Sequence, residues 1–166
     1  MSVVTGFTLH NARGQSVLHR DLLKWMDDVN PANHVFAPVT CYSWFVDGDE
    51  FRRWNQTLNF SLQELPDAKG FIGFERDRTV DNCLLLDVYG KERMRLTVPW
   101  QLTKSLNPES ANPPTSFSSV SDPYVNPADG KAGLFGVVAW VEFAGLYYFE
   151  MDYQTGEFLW GREIRD

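Results

Sequence analysis

The chain reads as an α+β protein: a mostly antiparallel sheet of about seven strands, one amphipathic helix and a C-terminal three-stranded meander. Three observations lead there. Residues 133–164 alternate apolar and polar side chains over two tight turns, the two-residue period of strands. Residues 17–29 carry an apolar stripe at helical spacing. Short apolar runs punctuated by Gly, Asp and Asn fill most of the remainder.

In chain order, Val3–His10 is a first strand and Asn11–Gln15 a loop. Ser16 is a good N-cap for a helix over 17–29, in which Leu18, Leu22, Trp25, Met26 and Val29 share one face. Asn30-Pro31 ends it. Val39–Val46 is a strand and Asp47-Gly48-Asp49 a turn. Over 51–65 two periods compete. Phe51, Trp54, Leu58, Leu62 and Leu65 fit a helix, whereas Leu58, Phe60 and Leu62 alternate as a strand does. The reading adopted is a second short helix over 49–56, then a strand. Gly70–Glu75, Cys83–Tyr89 and Glu92–Val98 form an antiparallel meander. Residues 103–133 hold five of the nine prolines and six serines, and read as a long loop in a single domain spanning 1–166.

At the C-terminus, Tyr147, Phe149, Met151 and Tyr153 share one face of a strand, and Phe158, Trp160 and Ile164 recur on the next. Asp152 and Gly156 suit the turn between them, the first by accepting amide hydrogen bonds, the second by its freedom at positive φ. Asp152-x-x-Thr155-Gly156-x-x-x-Trp160 resembles the strand-turn-strand signature of quinoprotein-type β-propeller blades. A propeller needs several copies and the chain has one, so the motif is read as a hairpin turn.

Formal net charge is −7, placed unevenly. Residues 1–100 carry 11 Lys/Arg against 13 Asp/Glu; residues 101–166 carry 4 against 9. Such a field disfavours nucleic acid and anionic membranes and favours basic partners. The opening MSVVTGFTLHNARG has neither a basic start nor a long apolar run, so the expected location is the cytoplasm. Cys41 and Cys83 are then expected as buried thiols.

No catalytic or cofactor motif stands out. His10, His19 and His34 have no spacing that pairs them with a nucleophile, and no Gly-x-Ser-x-Gly elbow occurs. No Cys-x-x-Cys or His-x-x-x-His is present for zinc, and Asp47–Glu50 lacks the register of a calcium loop. Neither phosphate-loop pattern occurs. Glu142 and Glu150 interrupt apolar strands, as a buried functional carboxylate would. Lys91, Arg93 and Arg95 alternate along one strand, as on a solvated face or protected edge.

The expectation is a non-enzymatic, cofactor-free and metal-free protein-binding module. It is of the immunity or inhibitor type and neutralises a basic partner such as a toxin. Asp152, Glu157, Glu163, Tyr124 and Phe117 are the candidate contact residues. One alternative is a small-ligand or enzymatic pocket built from Trp44, Trp140, Tyr148, Trp160, Glu142 and Glu150. Another is a structural subunit of a larger assembly.

Overall fold

Among the described residues, three four-stranded antiparallel sheets and one short α-helix make up the fold. The structure is a computed structural model that describes residues 2–29, 36–76, 79–103, 115–141 and 144–164. Its residues gather into two compact units. The first comprises Met1–Gly73 and Leu86–Arg93, the second Phe74–Leu85 and Met94–Asp166.

In the first unit, β1 (Thr5–Asn11), β2 (Ser16–Leu18), β3 (Val39–Val46) and β4 (Asp49–Trp54) form a sheet of order β2-β1-β3-β4. Register fixes its faces: Leu9 lies opposite Val17 and Tyr42, and Trp44 opposite Phe51, so these residues share the inward face. Trp44 is 1% exposed, packs on Phe71 at 4.7 Å between ring centroids, and donates its indole N–H to the Val88 carbonyl at 2.7 Å. That bond satisfies the indole's one polar group, which allows a side chain of this size to sit fully inside.

The second unit holds the C-terminal sheet: β9 (Ser116–Ser121), β10 (Gly136–Val141), β11 (Gly145–Asp152) and β12 (Glu157–Glu163), in the order β12-β11-β10-β9. Val137, Ala139, Val141, Phe149 and Met151 are fully buried on one face. Each large apolar side chain buried there contributes roughly 1.5–3 kcal/mol. Asn82 ties β9 into the unit, donating to the Glu75 and Phe117 carbonyls and accepting from the Phe117 amide at 2.7 Å. The remaining strands, β5 (Phe60–Glu64), β6 (Phe71–Glu75), β7 (Cys83–Leu86) and β8 (Glu92–Leu96), follow one another in a third sheet. Their residues are divided between the two units.

The fold class therefore differs from the α+β expectation of one seven-stranded sheet, a clear helix and a separate meander. The helix, α1, spans only Leu22–Val29. Ser16–Leu18 pairs with β1 as a strand, and His19–Asp21 is a single 3-10 turn. Tertiary pairing overrides the helical stripe there, because Val17 completes the apolar face opposite Leu9. The helix expected over 49–56 is strand β4, which pairs with β3 through all six residues. The two-residue turn decides it. Asp47 and Gly48 take φ of 52° and 85°, the doubly positive geometry that returns a strand on itself. The three-stranded meander is part of a four-stranded sheet, since β9 lies inside the stretch read as a loop over 103–133. Residues 104–114 of that stretch lie outside the described residues, as does His34.

Both cysteines are free and buried, and burial pushes the Cys83 thiol far above its ordinary pKa. His10 and His19 are held below the usual histidine value of 6.5, His19 by burial and His10 by burial and then the Arg52 charge. A depressed histidine is neutral in the folded chain and protonates more readily when unfolded. Its stabilising contribution is thus complete above pH 6.5 and is lost as pH falls through the folded value. Burial raises the Glu64 carboxyl, which acts in the opposite sense.

Two outcomes follow from this packing. Trp44→Ala should lower unfolding free energy by about 3–5 kcal/mol in urea titrations, the range for removing a fully buried aromatic side chain. Replacing His10 and His19 together with Gln should flatten the loss of stability as pH falls below 6.5, relative to the parent chain. An unchanged slope would assign that loss to other groups.

Candidate functional site

The second face of the C-terminal sheet is the one that does not disappear into apolar core. Directly paired residues share a face, so Trp140 and Leu146, Glu150 and Trp160, and Tyr148 and Arg162 all lie on it. Only part of this face is covered. The segment leading from β9 back to β10 crosses it, closed by a bridge between Val125 and Ala132.

That segment is held at Tyr124 and at Glu150, and by a bond from the Met151 amide to the Phe135 carbonyl at 2.9 Å. Tyr124 stacks on Tyr148 at 4.4 Å with ring planes 9° apart, and its amide donates to the Tyr148 hydroxyl at 3.1 Å. Burial raises the Tyr148 pKa, and the Tyr124 amide bond partly opposes that rise. Glu150 supplies the second contact. It is 7% exposed, and its two oxygens accept from the Leu134 amide at 3.1 Å and the Trp160 indole at 2.6 Å. Gly133 is required beside it, since a Cβ there would lie 2.5 Å from the Glu150 carboxylate. The paired carboxylate anchors the covering segment, while Leu134 itself is 71% exposed.

What remains open is aromatic and mixed in charge. Arg162 sits over the Tyr124 ring, 5.7 Å from its centroid, and makes no ion pair among the described residues. Tyr124, Arg162, Glu163 and Ile164 line a concavity of about 490 Å³. Val125 and Leu159 are each about half exposed in the same unit. Exposed aromatic and arginine side chains beside apolar ones are the residue types that anchor protein interfaces.

The sequence candidates fall in different places. Tyr124 and Glu163 meet in the concavity. Glu157 is exposed at the start of β12, directly opposite Asp152, whose carboxylate accepts the Gln154 and Thr155 amides of its own turn. Phe117 is 3% exposed and stacks on Phe158, so it belongs to the core. Of the alternative pocket set, Trp140, Tyr148, Trp160 and Glu150 lie on this face, Tyr148 and Glu150 buried under the covering segment and the Trp140 indole N–H buried and unbonded among the described residues. Trp44 is core of the first unit, and Glu142 lies outside the described residues. Arg162 was not among the candidates. The available signal was a lone cation among the aromatic and apolar residues of Glu157–Ile164.

Another cluster, in the first unit, was invisible in the sequence. The two ring nitrogens of His10 contact the Ser16 and Ser43 hydroxyls, each at 2.7 Å, in a row that continues to the Arg52–Glu50 ion pair. Strand register builds this row, because Ser16 lies opposite His10, and Ser43 opposite both Thr8 and Arg52. Both nitrogens are satisfied with the imidazole neutral, in keeping with its lowered pKa. Among the described residues, no three His, Cys, Asp or Glu side chains gather as a metal ion would need. No helix there is long and apolar enough to cross a membrane.

The fold and this face define an antiparallel β protein with an aromatic, arginine-bearing surface on its last sheet. No protein-family model and no curated protein matches the chain. Among solved structures, that of Tne2 in complex with Tni2 contains a chain of the same fold. The TM-score is 0.72 at 11% sequence identity, over 98% of this chain and 99% of that one. At such identity the likeness establishes the fold.

Glu150→Ala leaves both the Leu134 amide and the Trp160 indole without an acceptor. It should cost roughly 2–4 kcal/mol in urea denaturation and shift tryptophan emission. Unchanged stability would remove Glu150 as the anchor of the covering segment.

Proposed function

We propose that this chain is a protein-binding module of the immunity or inhibitor type, which neutralises a basic partner protein through the open face of its C-terminal sheet. The observation that carries the reading is the likeness over almost the whole chain to a component of a two-protein complex. Charge supports the choice of partner. Of the net −7, the part contributed by residues 101–166 is −5. A field of that sign speeds encounter with a basic surface and slows it with nucleic acid. The face supports the mode of binding. Tyr124, Trp160 and Arg162 can anchor a partner, and the exposed Leu134 and Val125 of the covering segment offer apolar area.

The test is kinetic and uses the partner that co-purifies with the chain. Reversing Asp152, Glu157 and Glu163 to Lys should slow association about tenfold at low salt. The parent's association rate should itself fall as salt rises. Equal association rates for parent and variant at low salt would contradict a partner steered by this acidic sheet.

A further inference from the structure

The geometry points to the outer edge of β12 as the place where an extended segment of the partner adds to the C-terminal sheet as a fifth strand, with a basic and an acidic residue side by side. This deepens the partner-binding reading and rests on it.

Position is the first argument. The concavity is lined by three successive residues of one strand and its extension, Arg162, Glu163 and Ile164, together with Tyr124. Successive side chains of a strand point to opposite faces. The hollow therefore takes in Arg162 and Glu163 from opposite faces at the C-terminal end of the strand, with Tyr124 closing it from the open face. The outer edge of β12 is the open one, since β12 is the last strand in the order β12-β11-β10-β9.

Backbone direction is the second. The Ile164 amide donates inward to the Leu146 carbonyl at 2.8 Å. Antiparallel alternation then turns the amides and carbonyls of Arg162 and Trp160 inward and those of Gly161 and Glu163 outward. Among the described residues this row has no strand beside it, which makes it a template for another strand, and strand addition is an established way of holding a peptide by its main chain. Gly161 keeps the row close to the sheet, since a Cβ there would lie 2.7 Å from the Phe149 ring.

Charge decides the occupant. Arg162 and Glu163 carry opposite charges on opposite faces, and neither makes an ion pair among the described residues. Cross-strand neighbours of opposite sign stabilise a pair, and like charges oppose it. The complementary strand thus places an acidic residue opposite Arg162 and, next to it, a basic residue opposite Glu163. A second copy of β12 is disfavoured in the register that pairs the whole strand. Antiparallel self-pairing over the full strand, centred on Trp160, sets Glu157 against Glu163 at both ends.

The test uses a fluorescent synthetic peptide, Thr-Val-Lys-Glu-Val-Thr-Val, titrated to millimolar concentration against the whole chain by anisotropy. It should bind saturably and protect the Gly161 and Glu163 amides from hydrogen exchange. Glu163→Pro removes an outward amide but no ladder bond, so it should weaken the peptide about tenfold or more with an unchanged circular dichroism spectrum. Glu163→Gln, which keeps the amide, should weaken it less. Arg162→Glu should reverse the preference in favour of a peptide with Lys and Glu exchanged. Absence of binding, binding indifferent to Glu163→Pro, or equal binding of the exchanged peptide by the parent chain would each overturn the proposal. So would an unliganded dimer that Glu163→Pro dissociates, because the occupant would then be a second copy. A co-purified partner that binds the Glu163→Pro chain as tightly as the parent would sink the edge alone and leave the partner-binding reading intact. Absence of any partner would sink that reading instead.

Discussion

One buried carboxylate fixes the open face of the C-terminal sheet. Glu150 sits among buried apolar residues of β11, where a polar group without partners would cost several kcal/mol. It is tolerated because the Trp160 indole and the Leu134 amide both point at it. Those bonds set the path of the segment that covers the face, and that path in turn brings Tyr124 flat onto Tyr148. With Tyr124 placed, Arg162 has a ring to lie against and the concavity has its far wall. A chain with an apolar residue at position 150 would keep the sheet and lose the reason for this surface.

The parts of the fold that depend on local alternation were legible in the sequence. The β11–β12 hairpin is one: Asp152 accepts the turn amides, and Gly156 takes φ of 79°. The strands at Phe71–Glu75, Cys83–Leu86 and Glu92–Leu96 are others. The failures have physical reasons. Phe51, Trp54 and Leu58 match a helical stripe by coincidence, whereas Asp47-Gly48 was the stronger signal and fixes β4 as the return strand of a hairpin. Val17 reads as the first turn of a helix, but a three-residue strand needs only one inward side chain, and Val17 supplies it. Serines in β9 look like loop composition. The strand forms because Phe117 and Val120 meet the buried face of β10, and because Asn82, 35 residues away, brackets the Phe117 backbone.

The site was less legible than the fold, because its members come from strands whose register no local pattern reveals. Glu150 could be marked as unusual, but not that its role is to be satisfied rather than reactive. Asp152 and Glu157 could be marked as acids, but not that Asp152 holds its own turn while Glu163 lines a hollow at the far end of β12. The aromatic abundance of the chain resolves into two uses. Trp44, Phe71 and Phe149 fill cores, and Tyr124 and Trp160, beside Arg162, shape a surface. A reading based on binding uses both, and asks of the surface only area, anchors and charge.

The central claim is that the chain works by binding another protein. The most direct measurement is affinity purification of the tagged chain from its native host, followed by native mass spectrometry of the eluate. The account predicts one stoichiometric complex of this chain with a single protein of net positive charge. A chain that elutes only as a monomer, or only with copies of itself, would contradict it.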